Sequence, residues 1–246
     1  MSGELLDDVA RFLGAITLYQ DDQIWALNKP AGLPVQAGMK TPAHLEAMLA
    51  AVTAPGAEQP RLVHRLDKDT AGCLLIGRTL DATRRLGRQF ERRTLTKIYW
   101  ALVHGVPDPL EQVIDMPLIK VSTPDGDRVR AAQPHEPARA AATRYRVLQA
   151  RGAFAWLELE PLTGRQHQLR AHMVEIGHPI LGDPRYHGGR TVPAGLPAGL
   201  NLLARTLAFR HPNGGEMRVE APLAPHMQLV FETLGFSPAA LLERGD

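Results

Sequence analysis

Three turn signals restrict what this chain can fold into more than any other feature of its sequence. Asp21-Asp22 interrupts residues 15–27, where apolar and polar residues alternate; Arg151-Gly152 separates residues 141–148 from 155–160; and Pro212-Asn213-Gly214-Gly215 separates residues 202–210 from 216–220. Alternation places one face of a strand on a core, and a tight turn folds the next strand back beside it, so each pattern predicts an antiparallel pair. Further strands are expected at 61–63, 73–77 and 97–103. Helices are expected at 44–52, 81–93, 166–176 (with Gly177 as its stop) and 226–234, and residues 54–60 and 192–199 read as loops. Regular βαβ alternation is absent. The fold class is therefore α+β, a mixed and mainly antiparallel sheet with packed helices, in a single domain spanning 1–246 with its core at about 15–235.

Composition narrows the function classes. Hydrophobic residues make up 44% and charged residues 22% of the chain, which is ordinary globular usage. Cys73 is the only cysteine, which excludes an intrachain disulfide or a thiolate-rich zinc site and fits a reducing, cytoplasmic setting. The acidic start lacks the pattern of an export signal, and no run of about 18 apolar residues suggests a membrane span. Neither G-x-G-x-x-G nor G-x-x-x-x-G-K-[ST] occurs, so the usual glycine-rich nucleotide signals are missing. Net charge is only +2, yet residues 61–100 hold ten Lys or Arg against four acids. Much of that excess lies on the predicted helix 81–93, where Ala82, Leu86 and Phe90 form an apolar stripe and Arg84, Arg85, Arg88, Arg92 and Arg93 the basic remainder. Such a patch suits phosphate backbone, and a solvated helix face explains it equally well.

The residues best placed for chemistry lie between the strands 61–63 and 73–77. Asp67 has Arg65 and Lys68 as neighbours, which favour an ionised carboxylate, although a turn aspartate would look the same. His64-Arg65-Leu66-Asp67-Lys68-Asp69-Thr70-Ala71-Gly72 resembles the HRLDxxTSG segment of the RluA family of RNA pseudouridine synthases. Three more blocks agree in order: Asn28-Lys29-Pro30-Ala31-Gly32-Leu33-Pro34-Val35, then Lys97-Ile98-Tyr99-Trp100-Ala101-Leu102-Val103-His104-Gly105, then residues 161–173, PLTGRQHQLRAHM, continued by GHPILGD at 177–183. Ala71 departs from the family's usual Ser, and Cys73 from its common Leu.

The resemblance implies the pseudouridine synthase catalytic fold, RNA as partner and no cofactor or metal. It implies that Asp67 is the nucleophile, attacking or deprotonating the sugar of a flipped uridine while the freed uracil turns and rejoins through C5. Whether Asp67 first meets C1′, C2′ or base C6 stays open. Tyr99 is implied to lie against the uracil ring and Arg165 to pair with Asp67. Leu169 is expected to floor the site, with His64 and Arg65 assisting RNA docking or base extrusion. A tyrosine or leucine in a core, or an arginine in solvent, has the same sequence signature. His167, His172, His178 and His187 lack the i, i+4 register of a helical zinc pair.

With so few residues before Asn28, no N-terminal S4 domain is expected, and affinity must rest on the catalytic domain. A loop uridine in tRNA is slightly favoured over 23S rRNA, and a monomer without obligate protein partner is the default. The rival readings are a catalytically inert RNA-binding module and a uracil or nucleoside glycosylase, which would need a water-activating group that the sequence does not reveal.

Overall fold

A computed structural model of the chain describes residues 3–37, 43–123 and 127–238. In chain order the elements are α1 (Gly3–Ala15), β1 (Thr17–Gln20), β2 (Ile24–Lys29), α2 (Leu45–Ala51), β3 (Arg61–Leu62), β4 (Ala71–Gly77), α3 (Leu80–Arg92), β5 (Thr96–His104), β6 (Glu111–Asp115), β7 (Leu118–Val121), β8 (Arg128–Ala131), β9 (Ala142–Arg151), β10 (Phe154–Pro161), α4 (Gln168–Glu175), β11 (Leu202–Arg210), β12 (Glu216–Glu220) and α5 (Pro225–Leu234). The class is α+β and all the paired strands given in register run antiparallel. Among the described residues no helix is long and apolar enough to cross a membrane.

The chain forms two compact units. The first takes Met1–Lys97 and Ala204–Pro222. Here β1, β2 and β4 lie side by side, β3 pairs with the end of β4, and β11 and β12 form the hairpin set by Pro212–Gly215. All seven residues of β4 are buried, as a continuous AGCLLIG run demands of a strand covered on both faces. Helix α3 follows at once. Its N-cap Thr79 accepts the Ala82 N–H at 3.1 Å, Ala82 and Leu86 point into the core, and Arg93 ends it in the left-handed conformation. Gly72 shows how tightly β4 is set: its φ is +110°, and a Cβ there would fall 2.3 Å from the Ala204 carbonyl oxygen.

The second unit takes Ile98–Leu203 and Leu223–Asp246. Its sheet runs β5-β10-β9-β6, with β7 and β8 as a separate hairpin. Trp156 is wholly buried on β10, with the rings of Trp100 and Phe231 edge-on at 4.7 and 5.0 Å. The core beneath α4 gathers Ala101, Leu157, Leu159, Leu169, Met173 and Ile180. Helix α4 begins later than its sequence pattern suggests. His167 adopts φ +51° and only Gln168 enters the helix. The strands β6, β7 and β8 and the helix α1 were not expected from the sequence.

Candidate active site

Asp67 sits half-buried on the loop between β3 and β4, in the first unit. The Thr70 N–H donates to the Asp67 carbonyl at 3.2 Å, which closes a turn over the buried Leu66 and Thr70. Lys29 holds the loop from beneath. At the end of β2 and fully buried, its Nζ donates to the carbonyls of Pro30 (2.8 Å), Leu33 (3.0 Å) and Lys68 (2.8 Å). The Gly32 N–H also reaches the Lys68 carbonyl, at 2.9 Å, from a turn at φ +84°. Three carbonyls match the three protons of an ammonium. Burial pushes the Lys29 pKa down to about 8, against the opposing pull of Asp69 and then Asp67.

His64 fixes the other end of the loop. Its ring stacks on Phe90 of α3, with centroids 4.4 Å apart and planes 16° from parallel, and its Nε2 accepts the Leu75 N–H at 2.9 Å. An accepting nitrogen is an unprotonated one. Burial, and then the charge of Lys97, push the His64 pKa down to about 3, so the ring is neutral at any physiological pH. That ring edge is committed to β4, where sequence reasoning had assigned it to RNA. Arg65 is exposed, with Nη1 3.4 Å from the Gln36 side-chain oxygen. Arg84, Arg85, Arg88, Arg92 and Arg93 are all exposed along α3 and its C-cap.

In the second unit, Tyr99 and Leu169 come together. Tyr99 stands opposite Leu159 across β5 and β10 and packs against the apolar cluster that contains Leu169, which is only 7% exposed. Arg165 is half-buried, and its Nε donates to the Ala140 carbonyl at 3.0 Å. The turn that carries it is organised by Gln168. The Gln168 side-chain oxygen accepts from the Thr163 hydroxyl (2.6 Å) and the Arg165 N–H (3.0 Å), while its amide donates to the Ala142 carbonyl (2.9 Å) and to Thr143 Oγ1 (3.0 Å). All four valences of a buried amide are used, so the start of α4 is rigid.

Sequence reasoning missed a second arginine in the same block. Arg170 is buried, and its Nε and Nη2 each donate at 2.7 Å to the two oxygens of the equally buried Asp183. The Arg170 guanidinium also lies 4.9 Å from the centroid of the Tyr186 ring. Asp183 further accepts the N–H groups of Arg185 and Tyr186. Burial works to raise its pKa, but the Arg170 bonds and charge and these two N–H groups bring it below the usual value. The sequence signal for Asp183 was no more than an acid closing the GHPILGD block. The four imidazoles singled out for possible metal are all engaged: His167 with the Tyr186 hydroxyl, His172 with Thr143 and the Met116 carbonyl, His178 with the His104 carbonyl, and His187 with the Gly189 N–H.

Comparison with known proteins agrees with the motif order. The profile of the RNA pseudouridylate synthase family matches residues 23–175. An uncharacterized RNA pseudouridine synthase of Synechocystis sp. is 35% identical over 235 residues, 91% of this chain and 70% of the relative. The ribosomal large subunit pseudouridine synthase C of Escherichia coli K12 is 40% identical over 220 residues, 86% of this chain and 67% of the relative. Among solved structures, human RNA pseudouridylate synthase domain containing 4 superposes with a TM-score of 0.79 at 28% identity, covering 94% of this chain and 97% of the human one. This chain belongs to the RNA pseudouridylate synthase family, in its RluA-type branch.

Proposed function

We propose that this isomerase converts a specific uridine of large-subunit ribosomal RNA into pseudouridine, with Asp67 as its nucleophile. The reaction needs no net reactant besides the nucleotide. The N1–C1′ bond breaks, a C5–C1′ bond forms, the C5 proton leaves and N1 regains one, so neither water nor an electron carrier enters the balance. One carboxylate suffices, whereas glycoside hydrolysis needs two. The observation that carries the reading is the anchoring of the Asp67 loop. A half-exposed carboxylate is held by a buried ammonium on the main chain behind it and by a neutral, stacked histidine before it. Such fixed placement is what a nucleophile requires, since misplacement by even an ångström costs rate.

The remaining roles follow the family resemblance. Tyr99 offers uracil a stacking face and a hydroxyl to assist loss of the C5 proton, over the apolar floor that includes Leu169. Arg165 is the guanidinium assigned to Asp67, and Arg170, locked by Asp183, is a second candidate in the same block. The sequence slightly favoured tRNA. The relatives named for the ribosomal large subunit shift that preference to its RNA. The test is pseudouridine formation in large-subunit rRNA and in tRNA, without added metal or cofactor, by the wild type and by Asp67→Asn. Product from the wild type alone supports the nucleophile. Equal product from both removes Asp67 from the mechanism, release of free uracil indicates a glycosylase, and binding without product an inert RNA-binding module.

A further inference from the structure

The first unit contains a groove of about 620 Å³ lined by the C-terminal half of α3 and the tip of the β11–β12 hairpin, and no residue of the Asp67 loop contributes to it. Arg85 and Gln89 come from the helix; Arg210, His211, Asn213 and Glu216 come from the hairpin. The groove is built rather than incidental. The Gln89 side chain bridges to both main-chain groups of Arg210, donating to its carbonyl at 2.8 Å and accepting its N–H at 2.9 Å, and Arg85 Nη1 donates to the Pro212 carbonyl at 3.2 Å. From the opposite side, His211 Nε2 lies 2.9 Å from an Asp21 carboxylate oxygen, and its Nδ1 accepts the Asn213 N–H at 3.2 Å. The hairpin tip is thus fixed to the helix before anything binds, which spares a ligand the cost of ordering it.

Its chemistry selects the ligand. Most of the side chains that line it are polar or charged. Arg85 and Arg210 face a single rim carboxylate, Glu216, and the exposed Arg88 and Arg92 extend the positive charge along α3. Asp81 partly offsets Arg85, at 2.6 Å, but the Arg210 guanidinium has no acidic partner among the described residues. The tip of the hairpin turns at Gly214, where open space surrounds the backbone, so a strand of phosphates can approach closely. We propose that this groove is a second RNA contact, seating backbone phosphates of the strand that flanks the modified uridine. The assignment rests on RNA being the substrate and adds the β11–β12 hairpin to the helix face as a docking element.

Phosphate contacts raise affinity without touching the reacting base, so their loss raises KM and flattens its salt dependence while kcat stays the same. Steady-state kinetics on a structured large-subunit rRNA fragment, across a salt series, tests this with four proteins: wild type, Arg210→Gln, Glu216→Gln and the control Arg218→Gln. Arg218 lies on the same hairpin but is already paired with Glu220. Arg210→Gln is expected to raise KM about fivefold and to lower the slope of log KM against log salt by about one. Glu216→Gln, which removes the one opposing charge, is expected to lower KM, and Arg218→Gln to leave both quantities unchanged. All three side chains point to solvent, and matching melting temperatures confirm intact folding. If the wild type forms no pseudouridine in any RNA, the substrate reading fails. An active wild type with Arg210→Gln and Glu216→Gln indistinguishable from it overturns the groove assignment alone.

Discussion

Replacing Lys29 by Met tests the anchor beneath the Asp67 loop in two independent ways. Methionine fills similar space without donors, so the carbonyls of Pro30 and Leu33 lose a buried partner, while that of Lys68 keeps the Gly32 N–H. Each orphaned buried acceptor costs about 1–3 kcal/mol. Against this, the variant no longer buries a charge, a burden that the drop in pKa from 10.5 to about 8 puts at roughly 3 kcal/mol. The net loss expected at pH 7 is about 0–3 kcal/mol. The second reading is the pH dependence. With the folded pKa below the unfolded one, the unfolded chain holds a proton between pH 8 and 10.5 that the folded chain has released, so stability rises with pH through that window. Integrating from pH 7 to 9 gives the wild type about 1 kcal/mol that the variant cannot gain. Cys73 acts the other way, because burial pushes its thiol up to about 12 and stability falls as pH rises from about 9, but it is present in both proteins and cancels. Urea unfolding of both at pH 7 and pH 9 should therefore show the gap between them widening. A gap that stays constant or narrows refutes the account of Lys29 as a buried ammonium near its point of deprotonation.

Gly72→Ala combines left-handed strain with a collision 2.3 Å from a main-chain oxygen and should cost more than about 3 kcal/mol, whereas Gly32→Ala, at φ +84° in open space, should cost only about 1 kcal/mol; equal costs in chemical denaturation would discount the steric contact. Asp183→Asn removes the carboxylate charge that accepts two Arg170 bonds in the interior and should destabilise by about 3–5 kcal/mol, read as a lowered melting temperature. His64→Ala should lower kcat about tenfold with KM for RNA unchanged, because it loosens the loop carrying the proposed nucleophile; a raised KM with kcat intact would return His64 to RNA docking.

The parts of the fold that were legible in the sequence are those governed by local rules. The strands at 202–210 and 216–220 match β11 and β12 to the residue, because Pro-Asn-Gly-Gly leaves the chain one way to turn. The stripe of Ala82, Leu86 and Phe90 gave α3 and its buried face for the same reason. Helix α1 has a helical spacing of Leu5, Val9, Phe12 and Leu13, but only Leu13 is buried, so the spacing marks a helix without a continuous core-facing stripe. The edge strand β6 is short, and exposed at every position but one, and is defined by its pairing with β9. The site divides likewise. Asp67, Tyr99 and Leu169 stood out by motif, whereas the roles of Lys29, Gln168 and Asp183 depend also on partners farther away in sequence, such as Lys68, Thr143 and Arg170.

Lys29 clasps the loop through peptide carbonyls, and a carbonyl is the same whatever side chain follows it. Positions 33 and 68 can therefore change identity while the clasp keeps its geometry, and an exposed residue such as Lys68 is free to be tuned to a different RNA without disturbing the aspartate one position earlier. On the proposed role of Asp67, the architecture separates the placement of the carboxylate, held by one lysine, from the exposed side chains around it, which can change without moving that clasp.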